Sequence, residues 1–212
     1  MNILSQIAEN IRYGKFAKVE ELVREGLAEG LGWEVILNGG LFAGMGVVGE
    51  LFKEEEMFIP EVLMAAKAME AGQKVLEPLI AGTSSGRRLG KVILGTVKGD
   101  IHNLGKTLVG IMLKGAGFEV TDIGVDVRAE KFVEAAVSEK AQLVGMSALL
   151  TTTMPRMKTT IEALHKAGLK QVKTIIGGAC VTQQYADEIG ADGYAENAGA
   201  AVAKAKELLG LK

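Results

Sequence analysis

Through the first eighty residues the apolar positions recur every three or four places. Ile3, Ile7 and Ile11 are spaced by four, and after a break at Tyr13-Gly14 the period resumes with Val19, Leu22, Val23 and Leu27. Leu37, Leu41, Met45, Val48 and Phe52 share one face of a third segment. Val62, Ala65, Met69, Leu76 and Ile80 share one face of a fourth, which opens at Pro60, a residue suited to the first turn of a helix. Short connections between amphipathic helices favour antiparallel neighbours, so the pattern predicts a four-helix bundle. The third helix carries Gly39, Gly40, Gly44, Gly46 and Gly49. Each weakens a helix by about 1 kcal/mol relative to alanine. Such a helix implies close approach to its backbone, either by another helix of the bundle or by something a functional surface must accommodate.

After GTSSGRRLG (82–90), a polar, glycine-rich stretch read as a linker, the pattern changes. Short apolar runs at 91–97, 118–123, 142–147, 172–176 and, weakly, 192–195 alternate with helical stretches at 105–116, 129–139, 155–168, 182–189 and 198–209. Strand–helix alternation predicts a parallel sheet with helices on both faces. Five strands in this length fit the flavodoxin-like (Rossmann-type) order 2-1-3-4-5. The expected fold class is therefore α/β: a helical bundle at 1–82, a linker at 83–90 and a five-stranded parallel-sheet domain at 91–212.

Composition narrows the function. In 212 residues the formal net charge is −2 and aromatics are 5%, which argues against nucleic acid or an anionic membrane as partner. The single cysteine, Cys180, excludes an internal disulfide and fits a reducing compartment. MNILSQIAENI has neither a basic nor an apolar leader region. The longest uncharged window, Val35 to Gly49, is short and glycine-rich for a bilayer span. A cytoplasmic protein without membrane contact is expected.

In open parallel sheets, ligands bind beyond the carboxyl ends of the strands at the switch point between strands 1 and 3. The loop after strand 1 lies within GTVKGDIHNLGKT. It comes close to the phosphate-binding pattern G-x-x-x-x-G-K-[ST], but five residues separate Gly99 from Gly105, and two of them are Asp100 and His102. Asp100 would set a like charge near a phosphate, and strand 3 ends in Ser147 rather than in an acid able to serve Mg²⁺. The same serine argues against a phosphoryl-receiver domain. Lys106 and Thr107 are then simply the start of a helix. A metal suits the loop better: a carboxylate two residues from a histidine can orient the ring and raise its basicity, and Ser147 is placed to extend that relay. His165, the other histidine, falls late in a predicted helix, and one histidine does not make a zinc site. A metal here must arrive with most of its coordination already satisfied, as in a macrocycle. A solvated Asp–His loop pair is the plain alternative. Its position beside Ser147-Ala148-Leu149-Leu150-Thr151 and Gly177-Gly178 weighs against that.

Asp100-Ile-His102-Asn-Leu-Gly105, with Ser147-Ala-Leu149 and Gly177-Gly178, resembles the D-x-H-x-x-G … S-x-L … G-G signature of cobalamin-binding domains. Ala148 stands where related modules often have glycine. Val47-Val48-Gly49-Glu50-Leu51-Phe52, Met57-Phe58-Ile59-Pro60, Ala65 and Met69 are similar to the helical cap of the methionine synthase cobalamin module and of corrinoid proteins in methanogen and acetogen methyltransferase systems. The likeness runs from about residue 10 to the end. It implies a cobamide cofactor, methylated on cobalt in the carrier state, with His102 as lower axial cobalt ligand and Asp100 and Ser147 as the relay behind it. Gly105 would let the following helix lie close to the displaced nucleotide tail, Thr151, Gly177 and Gly178 would line the cleft for that tail, Leu149 would be a further cofactor-binding residue, and Phe52 and Ile59 would cover the methyl-bearing face. The implied protein is a methyl carrier and not a catalyst by itself. Its partners would be a substrate-specific methyltransferase, a methyltransferase for an acceptor (a folate or a thiol), and a reductive activator. An adenosylcobalamin-dependent mutase subunit and a cobalamin-dependent sensor share parts of the signature. The cap speaks against the first. No helix-turn-helix or basic patch supports the second.

Overall fold

The computed structural model describes residues 2–80 and 89–211, which separate into two compact units, one helical and one built on a sheet. Most of the predicted linker, residues 83–88, lies outside the described residues, as do Met1 and Lys212.

The helical unit contains α1 (Ile3–Arg12), α2 (Phe16–Ala28), α3 (Trp33–Ile36), α4 (Ala43–Lys53) and α5 (Ile59–Ile80). Asn2 caps α1 by accepting from the Ser5 amide. A π-helical turn at Leu37–Phe42 joins α3 to α4, so the third predicted helix runs from Trp33 to Lys53. At 21 residues it is long and apolar enough to cross a membrane by length and composition, which corrects the view of this stretch as too short. Its Ile36, Leu41, Met45 and Val48 are nevertheless buried in the unit's core with Ile7, Ile11, Val19, Leu22 and Met69, as in the core helix of a bundle. The glycines have a local cause. A Cβ at Gly40 would meet Ile7 at 3.0 Å, and one at Gly44 would lie 2.9 Å from the Ala8 backbone. Of the two explanations for a glycine-rich helix, contact with α1 is the one that holds at these positions.

The second unit is a five-stranded sheet in the order β2-β1-β3-β4-β5, all pairs parallel. Its strands are β1 (Lys91–Thr96), β2 (Glu119–Asp122), β3 (Leu143–Ser147), β4 (Lys173–Gly177) and the short β5 (Gly193–Tyr194). Helices α6 (Leu104–Gly115), α7 (Ala129–Ser138), α8 (Pro155–Lys166), α9 (Gln183–Ile189) and α10 (Ala198–Leu208) follow the strands in turn. The apolar runs form strands because their residues are buried; Ile93, Val144 and Ile176 on the central strands are fully so, packed with Phe132, Met157 and Ile161. The register decides where chemistry can occur. Thr96 pairs with Ser147 and Ser147 with Gly177, so β1, β3 and β4 end at one level and their following loops leave the sheet side by side.

Candidate functional site

The loop after β1 is fixed from several directions. The Asp100 amide donates to the Val97 carbonyl at 3.1 Å, and the Asp126 amide donates to the Asp100 carbonyl at 2.8 Å. Gly99, at φ +87°, donates its amide to Asp126 Oδ1 at 2.7 Å, while Lys98 pairs with Asp126 Oδ2 at 2.8 Å. The left-handed turn at Gly99 drives Asp100 inward, where it is fully buried.

Both carboxylate oxygens of Asp100 are used. Oδ1 accepts the His102 amide at 3.0 Å and lies 2.8 Å from His102 Nδ1. Oδ2 accepts the Leu149 amide at 2.7 Å, the Leu150 amide at 3.3 Å and the Thr153 hydroxyl at 2.8 Å. Burial works to raise this carboxyl's pKa. The bonds from Leu149, from the amide and ring of His102 and from Thr153 outweigh it and hold the group well below the usual carboxylate range. Asp100 is thus ionised and accepts a hydrogen bond from Nδ1 of His102, so in the neutral ring the lone pair is on Nε2. The His102 side chain is 46% exposed, so that nitrogen is presented outward from a ring fixed on its inner side.

The structure brings Asp100, His102, Ser147, Leu149, Thr151, Gly177 and Gly178 to one edge of the sheet, with Gly105 one turn away in α6. The relay differs from the sequence reading. The hydroxyl on Asp100 belongs to Thr153, which is buried, and Ser147 is not among the groups bonded to the carboxylate. Ser147 is half-buried at the end of β3, where its carbonyl accepts the Val97 amide at 3.0 Å. The Thr151-Thr152-Thr153 run before Pro155 was the available signal. Which threonine turns inward depends on the turn leading into α8, and that is not written in the pattern.

Gly177 and Gly178 also have a different reason from the one the motif implied. A Cβ at Gly178, where φ is +134°, would sit 1.8 Å from the Ala148 carbonyl oxygen; one at Gly177 would sit 2.7 Å from that of Ala195. They are glycines because the protein's own backbone passes there. Gly105 is the opposite case, facing open space with nothing within 4 Å. Phe52 and Ile59 belong to the helical unit, both half-buried, on either side of the turn joining α4 to α5. Cys180 is half-buried with its thiol 3.7 Å from the Ala148 carbonyl, and burial pushes that thiol's pKa up.

Neither a phosphate nor a metal held by side chains alone suits this edge. Lys106 is buried, and its ammonium is bonded to Asp122 at the end of β2, so it is not free to neutralise a phosphate. Among the described residues no group of three or more His, Cys, Asp or Glu is arranged to hold a metal ion. One exposed imidazole nitrogen suits a metal that is already ligated in a plane. The surface around it fits a flat apolar ring: Ile101 beside His102, Leu104 at the start of α6, and Leu149 and Leu150 on the loop after β3 are 73%, 59%, 40% and 43% exposed. The open space beside Gly105 leaves room for a tail against α6.

Comparison with known proteins agrees with this chemistry. Residues 90–203 match a family described as the B12 binding domain, and residues 3–77 match a second of the same description. Dimethylamine corrinoid protein 1 of Methanosarcina acetivorans is 52% identical over 175 residues, 82% of each chain. A corrinoid protein of Desulfitobacterium hafniense is 45% identical over 213 residues, covering 99% of each. Among solved structures, the methanol:cobalamin methyltransferase complex of Methanosarcina barkeri contains a chain superposing at TM-score 0.89, with 30% identity over 98% of this chain and 80% of that one. The chain belongs to the corrinoid (B12-binding) methyl-carrier family and is a corrinoid carrier subunit of the methyltransferase type.

Proposed function

We propose that this chain carries a methyl group on the cobalt of a cobamide between two methyltransferases, with His102 Nε2 as the lower axial ligand. The observation that carries this reading is the buried, five-donor carboxylate of Asp100, which fixes His102 in the tautomer that leaves Nε2 bare. When bound, the cobamide supplies a cobalt centre able to accept and release a methyl group. The residues of the chain do the rest. Asp100 orients the imidazole through Nδ1. The Thr153 hydroxyl lies 2.8 Å from both Asp100 Oδ2 and the Leu150 carbonyl, so its one proton can serve either.

The remaining assignments follow the same reading. Residues 1–82 are the cap, 83–90 the linker and 91–212 the cofactor domain. Gly105, Leu149, Thr151, Gly177 and Gly178 border the tail cleft, and Phe52 and Ile59 shield the reactive face. The partners are a donor methyltransferase, a folate or thiol methyltransferase and a reductive activator, in the cytoplasm. Likeness to dimethylamine corrinoid proteins supports a methylamine as donor. Reconstitution with hydroxocobalamin tests the proposal. Wild-type protein should bind it with histidine in place of the cofactor's own base, and His102→Ala should lose that spectrum. An unchanged spectrum in His102→Ala would remove the axial assignment.

A further inference from the structure

Thr96 is fully buried at the last position of β1, and its hydroxyl donates to the His102 carbonyl at 3.0 Å. We infer that Thr96 is a positioning residue for His102, gripping the peptide on the side opposite Asp100; this rests on the axial-ligand reading above. The His102 backbone is then held at both ends, its amide by Asp100 Oδ1 at 3.0 Å and its carbonyl by Thr96. Asp100 alone fixes one ring nitrogen and one amide, which leaves the peptide free to pivot about that oxygen. A second bond on the carbonyl side removes the pivot.

Thr96 is itself braced. Its amide donates to the Gly124 carbonyl at 3.0 Å and its carbonyl accepts the Val127 amide at 3.0 Å. The Gly124 amide in turn donates to Asp122 Oδ1 at 2.9 Å, and Asp122 Oδ2 is bonded by the buried Lys106 of α6. A chain of bonds thus runs from α6 through the end of β2 to β1 and on to the residue that presents Nε2. Within it, the Lys106–Asp122 pair fixes the end of β2, which through Gly124 braces the end of β1 from which the histidine loop springs. The bond to the His102 carbonyl also accounts for a threonine here. Valine would fill the same volume, and its β-branched shape suits a strand equally well, but it has no donor for the loop.

The test compares wild type with Thr96→Val, and Thr96→Ser with Thr96→Ala, a pair that differs only in the hydroxyl and reads the same effect if the valine protein folds poorly. Two quantities are measured. In cofactor-free protein, hydrogen exchange of the His102 amide is compared with that of Val92, a buried strand residue that reports the stability of the sheet. In protein titrated with hydroxocobalamin and reduced to Co(II), the dissociation constant and the axial-nitrogen splitting in the electron paramagnetic resonance spectrum are recorded. Loss of one net hydrogen bond predicts exchange at His102 about fivefold faster relative to Val92, and hydroxocobalamin binding weaker by about the same factor, for valine and alanine but not for serine. Valine behaving as wild type, or serine falling as far as alanine, would overturn the role of Thr96. His102→Ala serves as control, with every protein labelled with ¹⁵N-histidine so that a histidine ligand gives a doublet and the cofactor's own base a triplet: if His102→Ala keeps the doublet, the axial reading fails, and if it loses the doublet while the Thr96 variants are silent, only the positioning role fails.

Discussion

Replacing Asp100 by asparagine removes one acceptor from a carboxylate that uses both. If the amide oxygen stays toward Leu149, Leu150 and Thr153, as the larger set of donors demands, the NH₂ faces the His102 amide now bonded at 3.0 Å. Two donors then point at each other in a buried place. Losing a hydrogen bond to a charged group costs about 1.5–3 kcal/mol. Leu149, Leu150 and Thr153 keep their acceptor but lose its charge, so the total loss is about 2–4 kcal/mol. The ring answers as well. Facing an NH₂ group, Nδ1 of His102 becomes an acceptor and the proton moves to Nε2, the nitrogen needed for cobalt. Urea unfolding of the cofactor-free variant, followed by circular dichroism, measures the first effect. Nitrogen NMR of the histidine ring measures the second. A loss under about 0.5 kcal/mol together with a ring still protonated at Nδ1 would refute the argument that Asp100 sets the tautomer.

Three further outcomes separate the roles of neighbouring residues. Thr153→Val should weaken hydroxocobalamin binding and destabilise the protein by about 1–2 kcal/mol, whereas Ser147→Ala should change either by under about 0.5 kcal/mol; binding titrations and urea midpoints of the two variants decide which hydroxyl serves Asp100. Gly178→Ala should destabilise the cofactor-free protein by about 2–4 kcal/mol, because its Cβ collides with the Ala148 carbonyl, while Gly105→Ala should raise helix stability by about 0.5–1 kcal/mol and yet weaken hydroxocobalamin binding if a tail occupies that open space. The lowered pKa of Asp100 fixes the sign of the pH dependence: an unfolded aspartate takes up its proton near pH 3.9 while the folded one stays ionised, so this stability is complete above that pH and is lost as pH falls below it. Asp126, through Lys98 and the Gly99 amide, and Asp192, where the opposing effect of burial is outweighed by Lys173 and Thr174, are shifted the same way, so acid unfolding of Asp100→Asn should be shallower than wild type but not flat.

Most of the sheet unit was legible because its strands are buried runs and its helices amphipathic, and the observed strand order is the flavodoxin-like one that five alternating strands in this length fit. Asp100 and His102 were legible for a related reason: the switch point is a property of the topology, and only one loop there carries ionisable chemistry. Three features were hidden. The π-helical turn at Leu37–Phe42 merges two segments into one long helix, and no periodicity marks such a bulge. Thr153 reaches Asp100 across 53 residues through a turn whose shape depends on the fold. Gly177 and Gly178 have a reason the motif does not reveal, the close approach of the Ala195 and Ala148 backbone. Lys106 shows the converse: a motif-like Gly-Lys-Thr whose lysine is turned away to Asp122.

The central claim is that His102 binds the cobalt. The most direct measurement is the electron paramagnetic resonance spectrum of the Co(II) cobamide on protein grown with ¹⁵N-histidine and unlabelled cofactor. If Nε2 of His102 is the axial ligand, the nitrogen triplet on each cobalt line becomes a doublet, and His102→Ala loses that doublet. A triplet that survives labelling would mean that the cofactor's own base remains bound, and the account would be wrong.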